Sequence, residues 1–179
     1  MIYKWCYKTP DGFSNMLMNS DGEHLTGLWF DGSRDAKKHI TQCEERLLPV
    51  FKDTVKWLDL YFAGVNPNFI PEYKIKDITD FRKEVLKHML TIPYGETITY
   101  GEIAENIAKS RGICKMSARA VGGAVGWNPI SIIIPCHRVV GTDHSLTGYG
   151  GGIDNKIALL KLEQNDISKI VIPKKGTAL

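Results

Sequence analysis

The stretch YGEIAENIAKSRGICKMSARAVGGAVG, residues 100–126, decides what kind of fold this chain can form. YGEIAENIAK predicts a short helix, Arg111-Gly112 is a turn signal, and KMSARAVGGAVG predicts a second helix. Helix, glycine-containing turn and helix make up the pattern of a helix-turn-helix. The second helix is built almost wholly of small residues: Ala118, Ala120, Gly122, Gly123, Ala124 and Gly126. Each glycine inside a helix costs about 1 kcal/mol relative to alanine. Close approach of another surface, or tight helix packing, would offset that cost. Lys109, Arg111, Lys115 and Arg119 lie in the same stretch with no acidic residue among them, a footprint for a polyanion or a solvated helix face.

Upstream, Phe81, Val85, Met89 and Ile92 recur at helical spacing, and Pro93 with Gly95 closes that helix. VNPNFIPEYKIKD, residues 65–77, has no period and reads as a linker. Before it, Leu48, Phe51, Val55, Leu58 and Phe62 predict a helix with Pro49 in its first turn and Gly64 at its end. Asp-Gly at 11–12, 21–22 and 31–32 separates aromatic, roughly alternating segments and predicts a small antiparallel meander. The chain is therefore expected to be α/β: a small N-terminal domain, residues 1–77, of antiparallel sheet plus helix, and a mostly helical C-terminal domain, 78–179, with the helix-turn-helix.

The 179 residues are 43% hydrophobic and 24% charged, which excludes disorder and fibres. The net charge of +3 is unevenly shared, −1 over residues 1–79 and +4 over 80–179. The N-terminus has no apolar leader core and no apolar stretch reaches spanning length, so a soluble cytoplasmic chain is expected, nuclear in a eukaryote, with no membrane partner. Cys6, Cys43, Cys114 and Cys136 form no Cys-x-x-Cys pair, which argues against a disulfide framework or a zinc ribbon.

Downstream lies SIIIPCHRVVG, residues 131–141. The isoleucine run predicts a short buried strand, ended by Pro135, with Cys136 lifted out at its end. Cys136 could be apolar filler, a metal ligand, half of a disulfide or a nucleophile. A reactive cysteine needs a base, a cation or dipoles to form thiolate, and His137 and Arg138 follow directly. On an extended chain His137 would need a bridging water or a bent backbone to reach the sulfur. Asn128 precedes Pro129 at the turn that feeds this segment. GYGGGIDNKIALLKLE, from residue 148, joins a glycine-rich loop to a helix that Asp154 can cap. Positions 156, 160 and 163 share one face of it, so Lys156 and Glu163 point the same way, and a buried Glu163 could orient a histidine.

IPYGETITYGEIA, ARAVGGAVGWNP, IPCHRVVG, LTGYGGG and KIALLKLE, with LDLYFAG at 58–64, occur here in one order. Together they resemble the methylated-DNA–protein-cysteine methyltransferases, the O6-alkylguanine-DNA alkyltransferases. The resemblance implies a ribonuclease-like N-terminal domain and a single-use repair protein that binds duplex DNA and flips out an alkylated guanine. The alkyl group, methyl or larger, would pass from the base oxygen to Cys136, with O4-alkylthymine a further candidate substrate. It also implies the roles: Cys136 as nucleophile, His137 as base through a water, Glu163 orienting His137, and Asn128 fixing the network. Tyr100 would rotate the target phosphate and Arg119 fill the gap in the base stack. Tyr149 and Gly150 would close the alkyl pocket, Val139 contact the base and Lys156 lie near the guanine oxygen. Lys115, Ala118, Gly122 and Arg138 would complete the DNA surface of a monomer that needs no cofactor and no metal.

Three departures stand out. The segment around SRGICK makes the interval from Tyr100 to Arg119 longer than in the family. Gly150 replaces an alanine or serine, and Trp127 is bulky. Cys6, His24, His39 and Cys43 make no convincing zinc motif. Outside the family, a non-enzymatic sensor of alkylated bases, a cysteine hydrolase and a helix-turn-helix transcription factor are the competing readings. Cys136 disfavours the first, Arg119 and Tyr100 are left idle by the second, and the Gly/Ala-rich helix offers the third few side chains able to read bases.

Overall fold

The computed structural model describes residues 1–39, 43–146, 148–169 and 171. Two compact units divide it, Met1–Asp77 together with Pro129–Ile133, and Ile78–Asn128 together with Ile134–Leu179. The first therefore takes in a segment that the sequence alone puts in the second.

In the first unit, β1 (Tyr3–Tyr7), β2 (Met16–Ser20) and β3 (Leu25–Phe30) form an antiparallel meander. Helix α1 (Arg34–His39) leads to β4 (Glu44–Glu45), which adds to β1 in parallel and gives the sheet order β3-β2-β1-β4. Only one of the three Asp-Gly pairs makes a tight reversal between strands. Asp21 caps the β2–β3 turn by accepting from the backbone N–H of Glu23 and His24, and Gly22 supplies φ +113°. Asp11-Gly12 lies inside a longer connection, and Asp31-Gly32 leads into α1 instead of another strand.

Helix α2 (Pro49–Phe62) buries Phe51, Leu58 and Tyr61 and packs against β2, whose Met16 and Met18 are buried. It ends in a left-handed Gly64, φ +79°, with the Gly64 and Val65 N–H groups returned to the Tyr61 and Leu60 carbonyls. The expected linker is partly ordered by the sheet. Leu25 N–H donates to the Glu72 carbonyl and Lys74 N–H to that of Leu25, both at 2.9 Å, so the edge of β3 is covered there.

The isoleucine run is no strand. Leu28 N–H donates to the Pro129 carbonyl (2.8 Å) and Ser131 N–H to that of Leu28 (2.9 Å), after which the chain turns. Ile132, 1% exposed, takes φ +69°, a conformation that costs a β-branched residue roughly 1–3 kcal/mol and persists only where its surroundings hold it.

The second unit begins with α3 (Asp80–Leu90), capped by Thr79, and buries Val85, Met89 and the following Ile92. Strand β5 (Ile98–Thr99) runs into α4 (Tyr100–Arg111) through a capping box. Thr99 Oγ1 accepts from Glu102 N–H at 3.1 Å, while Glu102 Oε2 accepts from Thr99 N–H at 2.7 Å. Gly112, φ +63°, ends α4, and α5 (Ala118–Gly126) follows. Ser117 is its N-cap, so the second helix starts three residues later than Lys115, and Lys115 lies in the turn. Strand β6 (Val139–Val140) pairs in parallel with β5, and α6 (Ile153–Leu162) closes the unit. Gly152, φ +90°, occupies the N-cap of α6; Asp154 lies in the first turn, where its charge suits the helix dipole but does not cap.

Candidate active site

A bend builds the site. Pro135 takes φ −81°, ψ 64°, Cys136 N–H donates back to the Ile134 carbonyl at 2.8 Å, and Cys136–Arg138 then form a 3₁₀ turn. Cys136, His137 and Arg138 thus follow one another around a turn instead of alternating along a strand.

Cys136 is 7% exposed. The Asn128 amide donates to its Sγ at 3.1 Å and to the Ile134 carbonyl at 2.8 Å, tying the sulfur to the residue that precedes the excursion into the first unit. Burial pushes the thiol pKa up, against the pull of Asn128, the Lys156 charge and a hydrogen bond from Tyr149. The resting group is therefore a thiol, and transfer of its proton needs a base.

His137 is fully buried, with Nε2 2.7 Å from Glu163 Oε1. Burial lowers its pKa, aided by the charges of Arg138 and Lys156 and opposed by Glu163. Glu163, the C-cap of α6, is 2% exposed. Burial would raise its pKa, but the bonds and charges of His137 and Arg138 prevail and hold it at about 2. An anionic carboxylate can only accept, so the neutral imidazole donates through Nε2 and keeps its lone pair on Nδ1.

Arg138 is placed differently from the DNA-facing position expected for it. It is 8% exposed, with Nε and Nη2 donating to Glu163 at 2.8 and 2.9 Å and Nη1 to the Ile92 carbonyl at 2.8 Å. Its guanidinium also lies 5.6 Å from the Tyr94 ring centroid. A carboxylate deep in the unit draws the arginine inward.

The Pro93-Tyr94-Gly95 turn belongs to the same cluster. Gly95 N–H donates to Glu163 Oε2 at 3.3 Å, and Tyr94 Oη donates to the Leu162 carbonyl at 3.4 Å. Gly95 has φ +81°, and a Cβ there would lie 3.0 Å from the Glu163 carbonyl oxygen. Ile92, Tyr94 and Gly95 escape sequence reasoning because a proline and a glycine past a helix explain themselves as its stop. Asn155 escapes it too: 7% exposed, it pins the glycine loop by donating to the Gly151 carbonyl at 2.7 Å.

Lys156 is fully buried. Its Nζ donates to the Val139 carbonyl at 2.7 Å and lies 5.9 Å from the Tyr149 ring centroid. Burial brings its pKa down to about 8, opposed by the attraction of Cys136. Val139 is buried in β6, Tyr149 half-buried, and Gly150 exposed in the turn before α6. The residues assigned to DNA gather on the helix-turn-helix. Lys115, Ala118 and Arg119 are exposed, and Gly122 lies against Tyr100, where an added Cβ would be 3.8 Å from the ring. All these groups belong to the second unit. Among the described residues no three or more His, Cys, Asp and Glu converge to hold a metal ion, and no helix is long and apolar enough to cross a membrane. The side chain of His39 lies outside the described residues.

Residues 80–165 match the family model for the 6-O-methylguanine DNA methyltransferase, DNA binding domain. Over 176 residues the chain is 39% identical to a methylated-DNA–protein-cysteine methyltransferase of Haemophilus influenzae, covering 98% of this chain and 91% of that protein. The chain belongs to the methylated-DNA–protein-cysteine methyltransferase family. A methyltransferase of the same description from Mycobacterium tuberculosis is 52% identical over 115 residues, 64% of this chain and 66% of that protein. A crystal structure of Mycobacterium tuberculosis OGT in complex with DNA superimposes with a TM-score of 0.75 at 39% identity, covering 94% of each chain. In this methyltransferase-family chain the site brings together a buried Cys136 thiol, a buried His137 and the Glu163 carboxylate bonded to it.

Proposed function

We propose that this chain repairs duplex DNA by moving an alkyl group from O6 of guanine to Sγ of Cys136, once per molecule. The observation that carries this reading is the Cys136 thiol, held by Asn128 and placed one residue before a His137 bound at 2.7 Å to Glu163. The S–C bond forms as the C–O6 bond breaks. The thiol proton leaves through a bridging water to His137, and the freed base takes up one proton at N1, so the exchange balances. Lys156 stabilises the thiolate and the developing charge on the guanine oxygen. The product thioether is not hydrolysed by water, so no second turnover follows and no cofactor is consumed. O4-alkylthymine presents the same alkyl–oxygen bond and is a second substrate.

A thiol this buried cannot meet an atom inside a base stack, so the nucleotide is flipped out, at a cost of about a few kcal/mol. Arg119, exposed in the first turn of α5, fills the gap, Tyr100 turns the phosphate, and Lys115 anchors the backbone. Tyr149 closes over the alkyl group and Val139 over the base. The chain acts as a monomer on double-stranded DNA. Burst titration tests the stoichiometry: repaired base should plateau at one per chain, and continued growth would contradict it.

Two substitutions test the DNA surface. Arg119→Ala should slow repair in duplex more than transfer from free O6-alkylguanine base; equal losses on both contradict the plug role. Gly123 is exposed and a Cβ there would meet nothing within 4 Å, so no internal packing requires a glycine. Gly123→Ala should therefore raise unfolding stability by about 1 kcal/mol and, because the duplex approaches α5 closely, weaken DNA binding. Denaturant melts and fluorescence anisotropy read the two effects, and a stabilised variant with unchanged affinity contradicts the close approach.

A further inference from the structure

We propose that Arg138 is a positioning residue of this site: by clamping the Glu163 carboxylate with two N–H groups, it keeps the His137 proton on Nε2 and the lone pair on Nδ1. The clamp is not part of the nucleophile, base and orienter set, and the catalytic consequence alone rests on the alkyl-transfer reading above.

Donors surround Glu163. Oε1 accepts from His137 at 2.7 Å and Arg138 Nη2 at 2.9 Å; Oε2 accepts from Arg138 Nε at 2.8 Å and Gly95 N–H at 3.3 Å. A carboxylate offers about four acceptor sites, and these four N–H groups use them. A protonated Glu163 would own an O–H directed at groups that themselves donate. The arrangement therefore tolerates only the anion, and against the anion His137 Nε2 must carry the hydrogen. Arg138 is itself fixed from its other side, by the Ile92 carbonyl at 2.8 Å and the Tyr94 ring, so it cannot swing away without stranding a buried charge.

Removing the guanidinium frees two of the four acceptor sites and withdraws the nearest cation from a buried carboxylate. Burial then favours the neutral acid. A Glu163 O–H donates to Nε2, the ring hydrogen moves to Nδ1, and the histidine loses the acceptor that transfer of the thiol proton requires. Arg138 thus decides which way His137 works.

The test uses full-length protein labelled with 15N in histidine, near neutral pH, as Arg138→Met and Arg138→Lys. In the unmutated chain the His137 signals should report hydrogen on Nε2 and none on Nδ1. In Arg138→Met the hydrogen should appear on Nδ1, and transfer should slow by at least about tenfold with DNA affinity retained. Arg138→Lys should restore the original tautomer and part of the rate. An unmutated chain with hydrogen on Nδ1 overturns the proposal, as does an Arg138→Met chain that slows while its tautomer stays, since that loss is merely structural. Should Arg138→Met fail to fold, the unmutated and Arg138→Lys tautomers still decide the matter. A tautomer that responds as stated in a chain that transfers no alkyl group would sink the proposed function and leave the role of Arg138 standing.

Discussion

Replacing Glu163 with glutamine is expected to cost roughly 3–5 kcal/mol of unfolding stability at neutral pH, because it leaves the buried Arg138 guanidinium without a counter-charge. Arg138 is 8% exposed and three of its nitrogens are already committed to partners inside the unit. The effect has a pH signature. The Glu163 pKa is depressed to about 2 in the folded chain, below the ~4.3 of an unfolded glutamate. Its stabilisation is thus fully present above the unfolded value and lost as pH falls through about 4 towards 2. The gap between the original chain and Glu163→Gln, measured by denaturant unfolding, should narrow over that window; a constant gap would mean that the ion pair is not its source. The same substitution should raise the Cys136 thiol pKa further, since the histidine loses its orienting anion. An unchanged thiol titration would argue against Glu163 acting on the cysteine.

Cys136→Ala is expected to abolish alkyl transfer and leave duplex binding largely intact. The thiol has no substitute. Cys6 lies in β1, and Cys43 also belongs to the first unit. Cys114 is exposed in the helix-turn-helix turn, away from the His137–Glu163 pair in sequence and outside its bonds. Tyr100, Ala118, Arg119 and Gly122 sit on α4 and α5 and Lys115 in the turn between them, and the helix caps at Thr99 and Ser117 do not involve Cys136. Transfer assays and anisotropy on the same preparation separate the two properties. Retained transfer in Cys136→Ala would remove the nucleophile from this mechanism.

Helices were legible in the sequence wherever apolar spacing and end signals agreed. The α2 stripe with Pro49 in its first turn and Gly64 at its end carries both kinds of signal. Lys156 and Glu163 could be placed on one face because helical spacing is rigid, and both are buried, Glu163 as the C-cap of α6. The isoleucine run misled because a short apolar run reads alike whether it is a strand or a buried turn. The residues just before it pair with Leu28, about a hundred positions earlier, which no local pattern reports. Arg138 misled for a related reason. The resemblance put it on the DNA surface, whereas Glu163 and Ile92, both distant in sequence, surround it. The contact of Asn128 with the sulfur likewise depends on an out-and-back excursion through Pro129–Ile133, so spacing alone could not supply it.

The central claim, that Cys136 itself takes the alkyl group, is tested most directly by mass spectrometry of the intact chain and its peptides after incubation with excess duplex DNA containing O6-methylguanine. The expected result is one methyl group per chain, confined to the peptide that holds Cys136. An unmodified chain, or a methyl group on any other residue, would contradict it.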